Sequence, residues 1–378
     1  MAAEVFPAVS GERFAATYRI GGDAARARAV AEAICLEQTV EFPRALLPPG
    51  GIERDVVGRL EALEPDGDGA FRARVAFPVE DTGFELPQLL NVVWGNVSLF
   101  PGVRLVDLAL SPALVAAFPG PRLGRQGLRA RLGARGRPLL CTALKPMGLP
   151  AQALADFAGA FARGGIDLVK DDHGLANQPF APWRERAARC AQAVADANAA
   201  TGGRCVYLPN VTAPAGEVRE RAHAARALGA GGLLVSPGLT GFDAMRDLAA
   251  DPDLDLPVMA HPAFLGSYIT SEGTGIALGV LFGTIMRLGG ADAVIFPNHG
   301  GRFALTPAEC GEIAAGTGEA AGGLRPAFPV PGGGMTLDRV AEMRSFYGDD
   351  VVLLIGGGLF EGGDPLRGAQ RFAAAVGA

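Results

Sequence analysis

Cysteine is scarce and shows no pairing pattern: Cys35, Cys141, Cys190, Cys205 and Cys310 are widely spread, odd in number and contain no CxxC pair. Such a set suits a reducing compartment and argues against both a disulfide framework and a zinc ribbon. Each cysteine reads as a small packed hydrophobe. Aromatic residues make up only 7% of the chain, so helices are expected to pack closely. There is no run of eighteen apolar residues to serve as a membrane-spanning helix, and Met1 to Ser10 carries no basic flank followed by an apolar stretch. A cytoplasmic location is the expectation. The net charge of −6 has no basic tract behind it, which leaves no electrostatic footprint for nucleic acid or an anionic membrane. A small-molecule partner fits this composition better.

What is abundant is apolar sequence, at 49% of 378 residues, together with 54 glycines. That is enough to fill a sizeable core. Eight short apolar runs punctuate the chain from about residue 139: Leu139–Pro146, Asp167–His173, Cys205–Val211, Gly232–Gly238, Pro257–Ala263, Asp292–Asn298, Pro326–Gly334 and Val351–Gly358. Continuous rather than alternating hydrophobicity marks parallel strands buried on both faces. Helical stretches fill the gaps, at Ala151–Arg163, Pro182–Ala199 and Gly216–Leu228, and Thr306-Pro307-Ala308-Glu309 and Thr336-Leu337-Asp338 look like helix starts. Eight βα units of this size close into a TIM barrel over residues 126–378. An open doubly wound sheet is the alternative, since local pattern does not encode closure. Residues 1–125 read as a smaller α+β domain, with a strand at Arg13–Ile20, a helix at Ala24–Glu37, a strand at Gly69–Pro78 and a further element at Gln88–Asn96. The junction falls in Phe118–Gly124.

In a barrel of this kind chemistry collects where strands end. The first run ends at Lys145-Pro146, the second at Lys170-Asp171-Asp172-His173, the fifth at His261 and the sixth at His299, so three of the four histidines fall at strand ends. A lysine in a buried strand beside carboxylates and an imidazole is a potential nucleophile or base next to hard-cation ligands. An ion pair between Lys170 and Asp171 or Asp172 is the simpler alternative. The last two runs end in Gly332-Gly333-Gly334 and Gly356-Gly357-Gly358. Bare backbone there lets N–H groups approach a phosphate.

These residues carry a resemblance. Arg137-Pro138-Leu139-Leu140 leading to Lys145-Pro146, then Gly164-Gly165-Ile166-Asp167 through Asp172, then Gln178-Pro179-Phe180 with Trp183-Arg184-Glu185-Arg186, resemble the large subunit of RuBisCO in order and spacing. More specifically, almost the whole chain is similar to the RuBisCO-like proteins, which share that fold without fixing carbon dioxide. The resemblance implies that Lys170 forms a carbamate with CO2 and holds Mg²⁺ with Asp172, His173 taking the third ligand position. It implies that Lys145 is an acid/base lysine and that His261 belongs to the catalytic set. Gly333, Gly334, Gly357 and Gly358 would cradle a phosphate, with Thr39 and Arg302 near it. Glu37 and Asn96 match residues that reach a neighbouring subunit's site, so a homodimer with shared sites is implied.

The departures narrow the function. His173 replaces a glutamate, which removes a negative charge and softens the donor set. Met147-Gly148 replaces a stretch that carries a second lysine, and Arg302 replaces a mobile-loop lysine. Pro262, Ile295-Phe296 and Gly332 stand where the carboxylase grips a second phosphate. An unpaired phosphate is costly to desolvate, so the expected substrate is a sugar-derived monophosphate and carboxylation is not expected. Such a site makes an enediolate or enolate. Decarboxylation of a 3-oxo sugar acid phosphate, of the 3-oxo-isoapionate-4-phosphate type, is the reading favoured by Asn96, where salvage-type relatives tend to carry a lysine. Isomerisation or enolisation of a ketose phosphate as in methionine salvage, hydrolysis of the keto acid, and binding without turnover remain open.

Overall fold

The computed structural model describes residues 6–67, 69–303, 305–318 and 323–377. The chain divides into two compact units, one of residues 1–119 with 265–284 and one of residues 120–264 with 285–378. A single boundary after residue 125 therefore does not describe the division: the chain changes units after Pro119, and Leu265–Thr284 leaves the second unit for the first.

The first unit is a five-stranded sheet. Its strands are β1 (Arg13–Gly21), β2 (Arg59–Pro65), β3 (Ala70–Pro78), β4 (Val103–Ala109) and, from the late excursion, a short strand at Gly275–Ile276. The order is Gly275–Ile276, β4, β1, β3, β2, antiparallel except where Gly275–Ile276 runs parallel to β4. Helix Ala24–Glu37 is as expected, and Asp23 caps it by accepting from the Arg26 N–H.

The second unit carries eight parallel strands: β5 (Leu139–Leu144), β6 (Leu168–Asp171), β7 (Val206–Leu208), β8 (Leu233–Val235), β9 (Val258–Ala260), then, with Gly275–Ile276 counted as β10, β11 (Ala293–Pro297), β12 (Phe328–Gly332) and β13 (Val352–Leu354). Every one of the eight apolar runs contains one of them. They form two sheets, β13-β5-β6-β7 and β8-β9-β11-β12. A parallel bridge from Asn210 to Leu234 joins β7 to β8. Gly332 of β12 lies so close to β13 that a Cβ there would come within 3.0 Å of the Leu354 side chain. The strands thus follow one another in a ring, and the α/β barrel replaces the open-sheet alternative.

Period-two alternation sets the two faces of each strand. Leu139, Cys141, Leu168, Leu208, Leu234, Met259, Ala293, Ile295, Phe328, Val330, Val352 and Leu354 form one buried cluster, the barrel interior. Leu140, Val169, Tyr207, Leu353 and Ile355 belong to a second cluster shared with the surrounding helices. Helix Gly124–Leu132 sends Leu128 and Leu132 into the interior cluster. The Asp292 carboxylate, buried and pushed up to about 6 by desolvation, accepts from the N–H groups of Leu123, Gly124 and Val258. Helix Pro307–Gly316 has a full capping box, Thr306 and Glu309 satisfying each other's backbone N–H groups. The Thr336 start is instead a 3-10 turn, Leu337–Arg339, running into helix Val340–Tyr347 with no side-chain cap. No described helix is long and apolar enough to cross a membrane.

One buried ion pair fixes the segment after β6. Asp171 and Arg186, both with fully buried side chains, meet at 3.2 Å. The Tyr207 hydroxyl donates to Asp171 at 2.7 Å and the Asn210 N–H at 3.0 Å. Arg186 spends its remaining donors on the carbonyls of Leu175, Ala176 and Ala181. Burial opposes its charge, but Asp171 outweighs burial and holds the guanidinium above its ordinary range. We expect Arg186→Met alone to destabilise the protein by about 3–5 kcal/mol, because a carboxylate is left buried without its partner. The double variant Asp171→Leu/Arg186→Met should recover most of that loss. Chemical denaturation of the three proteins checks this, and a double variant no more stable than the single one would refute it.

Candidate active site

Continuing the alternation past each strand end gives the inward side chains at the C-terminal mouth. From β5 it reaches Lys145, from β6 Lys170 and Asp172, from β7 Asn210, from β8 Ser236, from β9 His261, from β11 His299 and from β13 Gly356. Proximity confirms part of this ring: a Cβ on Gly356 would lie 3.5 Å from Cε of Lys145.

Lys170 is 2% exposed. Its Nζ donates to the Asp171 carbonyl at 3.1 Å. The Asp171 carboxylate points the other way, to Arg186, so the alternative of a Lys170–Asp171 ion pair is not realised. Burial pulls the Lys170 amine below its ordinary pKa against the opposing pull of Cys141 and Asp172. A neutral amine is the form that reacts as a nucleophile.

Asp172 meets Lys145 Nζ at 2.6 Å and His173 Nδ1 at 3.6 Å. Burial raises its carboxyl, but the interactions with His173 and Lys145 win and hold it well below the usual carboxylate range. The His173 ring stacks on His261 with centroids 4.2 Å apart and planes 11° from parallel. His261 Nδ1 accepts the Ala263 N–H at 3.1 Å. Its single hydrogen therefore sits on Nε2, because a neutral imidazole has one donor and one acceptor. Burial, with Lys170 beside it, pushes His261 down to about 2, so it stays neutral and acts as a hydrogen-bond donor.

His299 does not join this pair. Its ring packs on Phe346 at 4.9 Å and its buried Nε2 has no partner. Arg302 lies over the Phe303 ring at 5.5 Å, and its N–H donates to the Gly333 carbonyl. The two glycine triplets do lie together: a Cβ on Gly358 would be 3.4 Å from the Met335 carbonyl. Gly333 and Gly334 have φ of +80° and +107°, a region that disfavours side chains. Around Gly357 a Cβ would meet nothing within 4 Å. Among the described residues, no acceptor outside their own elements takes the N–H groups of Gly333, Gly334, Gly357 and Gly358.

In the first unit, Asn96 Nδ2 donates to Glu37 at 2.9 Å and approaches Glu41 at 3.4 Å. Glu41 has a φ of +46°, and its place in this trio gives no signal in the sequence. The Thr39 hydroxyl is occupied by the Cys35 carbonyl at 2.8 Å.

Among the described residues no three His, Cys, Asp or Glu side chains gather as a metal site. One carboxylate and one imidazole are too few for a hard cation, which takes oxygen ligands. The donor set fits only when Lys170 itself supplies oxygens as a carbamate, and its buried, weakly basic amine suits that reaction. A further signal lies in the composition: Lys145 and Lys170 are the only lysines in the chain, and both stand at this mouth.

Residues 124–302 match the family model for the ribulose bisphosphate carboxylase large chain, catalytic domain. The chain is 42% identical to ribulose bisphosphate carboxylase-like protein 1 of Rhodopseudomonas palustris, over 97% of this chain and 98% of that one. It is 39% identical to 5-methylthioribulose-1-phosphate isomerase of Rhodospirillum rubrum, over 94% and 93%. Among solved structures, a Rubisco-like protein from Rhodopseudomonas palustris superposes with a TM-score of 0.87 at 39% identity, covering 97% of each chain. The octameric Rubisco of Pyrococcus horikoshii superposes with 0.89 at 26% identity, over 98% of this chain and 89% of that one. With agreement of this extent in both sequence and fold, the chain belongs to the RuBisCO-like proteins of the RuBisCO large-subunit family.

Proposed function

We propose that this protein is an enolising enzyme acting on a ketose monophosphate, moving a proton between neighbouring carbons through an enediolate. The observation that carries the reading is the pairing of a buried, weakly basic Lys170 with the Lys145–Asp172 contact at one barrel mouth. The isomerase from Rhodospirillum rubrum and the 2,3-diketo-5-methylthiopentyl-1-phosphate enolase of Geobacillus thermodenitrificans, 36% identical over 80% of this chain, support a five-carbon phosphorylated substrate. The phosphate would take the free N–H groups of the glycine triplets. At the other end Pro262 and Gly332 bring no charge, and Ile295 and Phe296 are buried, so a second phosphate would lack a partner.

A magnesium ion held by the Lys170 carbamate, Asp172 and His173 would supply Lewis-acid polarisation of adjacent substrate oxygens. Lys145, at the rim of the mouth, exchanges a proton with the substrate. The His261 Nε2–H donates to an oxygen on which charge develops. Loss of a proton from the carbon beside the carbonyl gives the enediolate, and its return at the neighbouring carbon gives the isomer, with no net change in atoms. Glu37 and Asn96 would complete the site of a second copy in a cytoplasmic homodimer.

A second reading is decarboxylation of a 3-oxo sugar acid phosphate, and Asn96 favours it. Its amide donates to Glu37 and is no base, whereas loss of CO2 generates the carbanion without one.

The test is incubation with Mg²⁺ and 5-methylthioribulose-1-phosphate in D2O, beside a 3-oxo sugar acid phosphate with CO2 measured. Deuterium in the product supports enolisation, CO2 release supports the second reading, and neither outcome overturns both in favour of a binder. Lys145→Ala and Lys170→Ala should each lower kcat by about 10²- to 10⁴-fold. Because the chain has only two lysines, ¹³CO2 should give a single side-chain carbamate resonance that Lys170→Ala removes. A resonance that persists in that variant would refute the assignment.

A further inference from the structure

Ser236 follows β8 as the next residue, and two positions along from the interior Leu234 its side chain turns into the barrel mouth. It is 1% exposed, and its Oγ is buried with no hydrogen-bond partner. The rest of the residue is fully used: its N–H donates to the Thr212 hydroxyl at 3.0 Å and its carbonyl accepts from the N–H groups of Leu239 and Thr240. A buried hydroxyl without a partner is destabilising, so such an atom at a mouth signals a partner that arrives with the ligand.

Its neighbour in register is His261. Val235 pairs with Ala260, and the His261 N–H donates to the Val235 carbonyl at 2.8 Å, which puts Ser236 and His261 side by side on the same inward row. His261 cannot activate Ser236 as a nucleophile, because its Nδ1 is taken by Ala263 and its Nε2 carries the hydrogen. The two strand ends instead offer adjacent donors, an O–H and an N–H. In the ring of eight strands β8 stands across from β13, so this pair faces the glycines of β13 across the mouth.

We infer that Ser236 is a substrate-contacting residue that, beside His261, binds an oxygen on the carbon chain remote from the phosphate and so selects sugar phosphates hydroxylated there. This rests on the proposed ketose monophosphate function and adds to it the group that reads the far end. The step is binding only, and no bond is made or broken at Ser236.

The experiment compares wild type with Ser236→Ala in three measurements: Tm of the free protein, affinity for 5-methylthioribulose-1-phosphate by equilibrium dialysis, and kcat/KM with the same compound and its monodeoxy analogues. Removing the unpartnered hydroxyl should leave Tm unchanged or raise it, while affinity and kcat/KM fall by about 3- to 10-fold, the worth of one neutral hydrogen bond. The variant should lose discrimination against one deoxy analogue and keep it against the others. A fall in Tm with unchanged affinity would show a structural role through a buried water and overturn the inference. If wild type binds without turnover, the proposed function fails while the affinity ratio still decides the role of Ser236. If wild type turns over and the variant matches it, the inference fails and the function stands. No binding by wild type overturns both.

Discussion

The site depends on three consecutive residues facing alternate sides of one strand. Lys170 and Asp172 point into the barrel, and Asp171 between them points out, into a fully buried pair with Arg186. That outward charge is what makes the inward ones usable. Arg186 ties the carbonyls of Leu175, Ala176 and Ala181 to the same anchor, so the segment carrying Asp172 and His173 leaves the strand in one direction. A buried ion pair is a poor source of net stability. It is a good source of definition, because any other path for this segment would leave a charge without a partner. Tyr207 and the Asn210 N–H close the remaining valences of Asp171, which couples the ends of β6 and β7.

The inward groups divide the electrostatic work. Burial keeps Lys170 weakly basic and His261 neutral, whereas Asp172 stays ionised because Lys145 and His173 lie against it. One strand end therefore carries an amine able to react and a carboxylate able to hold charge, two residues apart. The ring stack of His173 on His261 joins the β6 and β9 ends and favours a neutral His261, since two stacked cations would repel.

The barrel was legible because buried parallel strands leave runs of continuous hydrophobicity, and all eight are found in place. Helix ends with explicit chemistry, such as Thr306 with Pro307 and Glu309, were legible for the same kind of local reason. The late excursion was not. Gly275–Ile276 is too short to show a period, and its partner β4 is far away in sequence, so nothing local announces that Leu265–Thr284 joins the first unit. The seven-residue π-helix at Gly279–Ile285 likewise leaves no recognisable pattern. At the site, Lys145, Lys170, Asp172, His173 and His261 could be named from strand ends and resemblance. The partners of Asp171 required knowing which face each residue takes, and the packing of His299 on Phe346 departs from what the alternation of β11 gives. The alternation of β6 could have sent Asp171 outward, and the scarcity of lysine could have singled out Lys145 and Lys170 without any resemblance.

Fold alone does not choose among the reactions this family can host; the proposed reading rests on the pattern of charge. On the proposed reading the groups around the mouth make and stabilise an enolate, and the glycine backbone takes one phosphate. The positions that by resemblance to the carboxylase would hold a second phosphate are Pro262, Ile295, Phe296 and Gly332, none of which has a charged side chain. A doubly charged group brought there would lose its water and gain nothing in return. By the same resemblance His173 stands in place of a carboxylate, which would leave one negative charge fewer to hold a dication. On the proposed reading the mouth takes a single phosphate and moves a proton along a short carbon chain, which is a narrower task than the addition of carbon dioxide to a bisphosphate.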